Sequence, residues 1–216
     1  GNVTGLAAAD CLSQIFEHGR AVFLKLHPLH ATLVPVYREA LAPLIQAGLL
    51  VVQAGGSDVV DAVLAQPGVG HVHLTGGRAA FDAIVWGSRD RSGPPVIRQS
   101  ITCELGNVTP WFIVPGRYTA RQLVRQADLV SASIVNNTSF NCIATKVVVT
   151  ARSWSQRDEF LSLIHRRLAA VRARPGWYPG ATAAWAGVTG RLAPADGTLP
   201  WVLLTCVDPL AQPQFV

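Results

Sequence analysis

A chain of 216 residues, half of them hydrophobic, can hold one large domain or two small ones around a sizeable core. Charged residues make up 14%, against about 25% in an average soluble domain, which suits a chain that packs against more protein. The net charge of +5 rests on scattered arginines. The densest group, Arg152, Arg157, Arg166, Arg167, Arg172 and Arg174, surrounds a predicted helix without interleaved aromatic residues, so it reads as a solvated face and not a nucleic-acid surface.

In chain order, residues 21–26 form a short apolar run after the turn signal His18-Gly19 and predict a strand. Residues 31–47 carry apolar positions at helical spacing and stop at Gly48, a C-cap signal. Residues 49–53 predict the next strand, closed by Gly55-Gly56, and residues 57–65 a helix capped by Ser57 or Asp58. A strand over 70–74, the turn Thr75-Gly76-Gly77 and a helix over 79–85 repeat the rhythm. Such strand–helix alternation with short connections predicts an α/β fold: a Rossmann-like parallel sheet with helices on both faces, whose ligands bind beyond the carboxyl ends of the strands. Residues 87–98 read as a Gly/Pro-rich loop, 101–105 and 111–114 as strands, and 119–136 as a helix. A polar turn over 136–141 leads to a strand over 146–151 and a helix over 156–171. Beyond Pro175 the pattern weakens, apart from a predicted strand over 201–205.

Cys11, Cys103, Cys142 and Cys206 are widely spaced and form no CxxC pair, which speaks against a disulfide framework or a zinc site and for a reducing, cytoplasmic setting. A lone cysteine is most often a small buried hydrophobe, and Cys11, Cys103 and Cys206 keep that reading. His71 and His73 alternate along a strand without a carboxylate or cysteine nearby in sequence, so they read as ordinary strand residues and no metal is expected. No apolar run reaches the ~18 residues of a membrane span, and no signal-peptide pattern is present. The chain starts at Gly1 and contains no methionine, which suits a piece of a longer protein.

Three segments carry chemistry. Lys25 ends the strand run Phe23-Leu24-Lys25; Glu104 stands in Thr102-Cys103-Glu104-Leu105-Gly106, before a glycine; and Cys142 follows Asn137-Thr138-Ser139-Phe140-Asn141 in a polar turn. Their order and spacing resemble the aldehyde dehydrogenase superfamily, in which a strand-end lysine, a Glu-Leu-Gly-Gly segment and an Asn-x-Gly-Gln-x-Cys segment follow one another. Leu74-Thr75-Gly76-Gly77 is similar to the family's Phe-Thr-Gly-Ser, and Asn2 to the asparagine of its Pro-Trp-Asn motif. The resemblance weakens after about residue 175.

This resemblance implies a partial NAD(P)-binding domain over residues 1–106 and a partial catalytic cysteine domain over 107–216. It implies Cys142 as the nucleophile, with Asn2 and the Cys142 backbone N–H as oxyanion donors and Glu104 as the base that activates water. Lys25, Thr75, Gly76, Gly77, Leu105 and Gly106 would bind the cofactor, NAD or NADP, with no metal. The substrate would be an aldehyde and the full-length parent a homo-oligomer; nucleic acid and membrane are not expected partners. The sequence also departs from the family. Asn107 replaces the second Gly after Glu104, Ser139 and Phe140 replace the Gly-Gln before Cys142, and Pro28 stands where NAD-preferring members often carry Glu. Two other readings follow: a CoA-acylating relative, against which Glu104 weighs, and a nucleotide-binding relative without catalysis.

Overall fold

A computed structural model describes residues 4–87, 91 and 93–212. The chain divides into two compact units, Gly1–Gly106 and Asn107–Val216.

In the first unit the elements run α1 (Thr4–Phe16), β1 (Val22–Leu26), a 3-10 helix (Pro28–Leu33), α2 (Val34–Ala40), α3 (Ala42–Gln46), β2 (Leu50–Ala54), α4 (Ser57–Leu64), β3 (His71–Thr75), α5 (Arg78–Trp86) and β4 (Ser100–Glu104). The crossovers from β1 to β2 and from β3 to β4 each return the chain to the end where the earlier strand began, so the strands of each pair run parallel. β1 pairs with β2, setting Lys25 opposite Gln53, and β3 pairs with β4, setting Thr75 opposite Glu104. The expected α/β fold is present, but its parallel pairing takes the form of two two-stranded ladders and not one continuous sheet. Among the described residues, the β1–β2 ladder is covered on one face. Leu50 and Val52 on β2 are each 2% exposed, whereas Val51 between them is 53% exposed, so alternation along the strand buries one face only. α2 and α3 lie against β2, and α1 lies against β1. Cys11, Ile15, Leu26, Tyr37, Leu50 and Val52 form the core of this unit. Fully burying side chains of this size contributes roughly 1.5–3 kcal/mol each.

The single helix expected over 31–47 is broken into three pieces. Pro43 has no N–H to offer the Glu39 carbonyl and its ring crowds that carbonyl, so the chain leaves helical geometry at Leu41 (φ −108°, ψ 19°) before α3 begins. Gly48 ends α3 in the left-handed conformation (φ 71°), as a C-cap glycine should. The N-cap of α4 is Gly56, not Ser57 or Asp58, which lie inside the first turn.

The second unit contains β5 (Trp111–Ile113), α6 (Ala120–Val135), a 3-10 turn (Asn136–Ser139), β6 (Val148–Thr150), α7 (Arg157–Ala170), β7 (Arg174–Pro175), α8 (Ala181–Thr189) and β8 (Thr198–Leu199). Thr119 and Gln122 form a reciprocal capping box at the start of α6. From there Leu123, Ala127 and Val130 recur at helical spacing and meet Phe160, Leu163, Ile164 and Leu168 of α7, with Trp154 completing the core. β5 and β6 pair in parallel, β7 and β8 antiparallel. The strand expected over 201–205 is not formed: among the described residues that run has no ladder partner, and the antiparallel pairing falls on Thr198–Leu199 instead. The alternation behind the expectation is real, because Trp201 and Leu203 pack on the core while Val202 and Leu204 are exposed. α8 gave no sequence signal, its run being mostly alanine and glycine.

Candidate active site

Lys25 occupies the penultimate position of β1 and is half-buried. Burial pushes its pKa below the usual lysine value, and the Asp58 carboxylate in the first turn of α4 acts in the opposite direction.

The carboxyl ends of β3 and β4 bring the next group together. Thr75 lies in register with Glu104, and the Gly76 N–H donates to the Glu104 carbonyl at 3.0 Å. Gly77 is the N-cap of the nine-residue α5 and provides no side-chain bond to its first turn. A Cβ built on Gly77 would meet nothing within 4 Å. No side chain caps the first turn of α5, and the Ala80 N–H bonds back to the Gly77 carbonyl at 3.1 Å, so the Arg78 and Ala79 N–H groups are the ones this turn could offer to an anion such as a pyrophosphate. Gly106 is similarly open, Leu105 is half-buried, and the Glu104 side chain is exposed. Thr75 is committed elsewhere: its hydroxyl donates to Asp10 of α1 at 2.7 Å, and the other Asp10 oxygen lies 3.8 Å from His73 Nε2. Asn2 lies outside the described residues.

Cys142, in the second unit, is half-buried on a turn that three successive residues enter in the left-handed conformation: Asn137 (φ 46°), Thr138 (φ 56°) and Ser139 (φ 64°). Side-chain bonds hold this geometry. Asn137 Nδ2 donates to Asn141 Oδ1 at 2.8 Å, and Asn141 Nδ2 in turn donates to Asn136 Oδ1. Below the turn, the Ser133 and Thr145 hydroxyls meet at 2.7 Å. The Thr109 hydroxyl donates to the Cys142 carbonyl, and Thr109 is itself fixed by its N–H donating to Asn107 Oδ1 at 2.7 Å. Asn107, a departure from glycine, here builds an Asx turn that aims Thr109. Phe140 packs edge-on against Trp177 with ring centroids 5.2 Å apart, and against Tyr178 at 5.6 Å. Lys146, four residues beyond the cysteine, donates from Nζ to the Ala144 carbonyl at 2.8 Å and to the Asn141 carbonyl at 3.4 Å. Thr109 and Lys146 were not singled out from sequence; a lysine four residues after the cysteine was the available signal.

The other thiols differ from one another. Cys11 is 1% exposed in the first core, and burial pushes its thiol pKa up. Cys103 and Cys206 are exposed, contrary to the reading of both as buried hydrophobes: Cys103 lies on β4, whose residues are mostly open, and Cys206 has a left-handed φ of 59°. Among the described residues, no group of three or more His, Cys, Asp or Glu could hold a metal ion. Nor is any described helix long and apolar enough to cross a membrane. One hollow, against β2, is lined by Arg38, Ile45 and Val51, and another, against β5 and α6, by Phe112, Leu123 and Phe160; neither includes a candidate residue.

No family model and no curated protein matches the chain. Solved structures do. An indole-3-acetaldehyde dehydrogenase in complex with NAD+ superposes with a TM-score of 0.57 at 24% identity, over 78% of this chain and 32% of that one. A gamma-glutamyl-gamma-aminobutyraldehyde dehydrogenase from Burkholderia cenocepacia J2315 gives 0.61 at 22% identity, over 81% of this chain and 33% of that one. This chain has the fold of an aldehyde dehydrogenase segment. A bifunctional proline utilization A protein shares that aldehyde dehydrogenase-like fold, with a TM-score of 0.59 at 19% identity over 80% of this chain and 18% of its own. The chain spans about a third of the length of the first two dehydrogenases it matches.

Proposed function

We propose that this chain is the nucleotide-binding and cysteine-bearing portion of an enzyme that oxidises an aldehyde to a carboxylic acid with NAD+ or NADP+. The observation that carries the proposal is a half-exposed Cys142 on a side-chain-braced turn, in a chain with the aldehyde dehydrogenase fold. The Cys142 thiolate attacks the aldehyde carbon, forming a carbon–sulfur bond and a tetrahedral oxyanion. The Cys142 N–H and the Asn2 amide donate to that oxyanion; one such donor is typically worth roughly 10²–10³ in rate. A nicotinamide dinucleotide, when bound, would accept the hydride that leaves the carbon as the oxyanion collapses, and Cys142 would then hold the acyl group as a thioester. Glu104 then takes a proton from water, whose oxygen attacks the thioester carbon; the carbon–sulfur bond breaks, and the Glu104 proton returns to the leaving sulfur, giving the acid and the thiol.

Lys25 would hold the adenosine ribose, the first turn of α5 behind Gly76 and Gly77 the pyrophosphate, and Leu105 and Gly106 the cofactor's nicotinamide half. Glu104 at the strand end favours water over CoA as the acyl acceptor. The reading includes a homo-oligomeric, cytoplasmic parent protein. A nucleotide-binding relative without turnover is the second reading, favoured by the side chains of Ser139 and Phe140 where bare or polar groups would leave more room beside the thiol.

The test uses the longest polypeptide that contains this chain, mixed rapidly with NAD+ or NADP+ and a panel of aldehydes. Cys142→Ala is expected to abolish even the first turnover. Glu104→Gln is expected to keep a burst of reduced cofactor and slow the steady state about 10²–10⁴-fold. Unchanged turnover in Cys142→Ala sinks the proposal, and nucleotide binding without reduction by any aldehyde favours the second reading.

A further inference from the structure

The peptide group that presents the Cys142 N–H has the Asn141 carbonyl at its other end. That carbonyl accepts two donors, the Ala144 N–H at 3.1 Å and Lys146 Nζ at 3.4 Å. Lys146 Nζ also donates to the Ala144 carbonyl at 2.8 Å, so the ammonium clasps the turn on both sides of the cysteine. Two carbonyl acceptors favour the protonated amine, since hydrogen bonds from an ammonium are charge-assisted and stronger than those from a neutral amine. Charge donated into a carbonyl polarises the whole peptide and makes its N–H a stronger donor.

We infer that Lys146 is a positioning residue for Cys142: its ammonium fixes the turn, strengthens the Cys142 N–H toward a bound oxyanion, and sets positive charge beside the thiolate. The inference rests on the reading of Cys142 as nucleophile and adds a group that this reading did not include. Burial lowers the Lys146 pKa, and Cys142 acts in the opposite direction. The same turn meets Thr109, Ser133, Asn136 and, through Phe140, Trp177 and Tyr178; the Tyr178 phenol is the titratable group among these neighbours.

A lysine that only tied down the carbonyls would leave the reactivity of the thiol to its exposure. The two roles separate in the rate of alkylation by iodoacetamide, followed between pH 6 and 9 on the 216-residue chain and read peptide by peptide. Lys146→Met is expected to slow alkylation of Cys142 about threefold near pH 7 and to move its rate profile up by about half a pH unit. The exposed Cys103, in the same sample, is expected to keep its rate. Lys146→Arg should stay close to the parent profile, because it restores the charge. Lys146→Gln, which keeps a donor without the charge, is expected to follow Lys146→Met and serves in its place if the methionine variant does not fold. An unchanged Cys142 profile in Lys146→Gln, or a shift in Lys146→Arg equal to that in Lys146→Met, overturns the inference. Alkylation requires no cofactor or aldehyde, so this outcome is separate from that of Cys142→Ala in turnover.

Discussion

The two units support their candidate residues by different means. In the first, Lys25, Thr75 and Glu104 stand at the carboxyl ends of paired strands, where backbone ladders fix their positions and Gly76 ties one strand end to the next. In the second, Cys142 sits on no ladder. Its turn passes through three left-handed residues, one of them the β-branched Thr138, and is held by amide and hydroxyl side chains around it. Left-handed backbone costs of order 1–3 kcal/mol at such residues. A ladder positions residues through bonds any sequence can make; a braced turn depends on particular side chains and is more exposed to substitution.

That contrast can be broken or sharpened by substitution. The largest expected effect lies in the core behind the cysteine turn. Phe160 is 0% exposed and packs on Trp154, with ring centroids 5.5 Å apart. Phe160→Ala is expected to cost about 3–5 kcal/mol, seen as loss of amide-exchange protection across α6 and α7. Protection left intact there would mean that the turn does not rest on this core.

A smaller effect, of opposite sign, is expected at the turn. Ser139→Gly removes the Cβ from a residue at φ 64° and should stabilise the second unit by about 1 kcal/mol in denaturant titration. Destabilisation would show that the Ser139 side chain is a brace and not a burden.

The smallest belongs to the strand ends. His71 on β3 accepts or donates to Ser100 at 2.8 Å and to Thr102 at 3.1 Å. Its pKa is lowered, first by burial and then by Arg20, His73 and His18. The fold therefore favours neutral His71: the contribution is intact above the unfolded-state pKa of about 6.5 and fades as the pH falls toward the lower folded value. Thermal melts between pH 7.5 and 5 should show the first unit losing stability on acidification, and His71→Asn should flatten that slope. An equal slope in the variant would assign the loss to other groups.

Much of the fold was legible because period-two apolar runs and turn glycines mark strands and their ends, as at residues 21–26 and at Gly48. What escaped depended on contacts across the chain. The break at Leu41 required weighing Pro43 against a strong helical pattern, and the strand expected at 201–205 lacked only a partner. Candidate residues with a motif could be proposed from sequence. Asp10, Thr109 and Lys146 could not, because each meets its partners only through folding and not by its place in a sequence pattern.

The most direct test of the chemistry is to trap the acylated enzyme. The Glu104→Gln variant of the longest polypeptide containing this chain, incubated with NAD+ or NADP+ and an oxidisable aldehyde and then quenched in acid, can be digested and weighed. Acyl mass on the peptide that holds Cys142, in step with the reduced cofactor formed, is the expected result. Reduced cofactor with that peptide unmodified, or with the acyl group on Cys103, would contradict it.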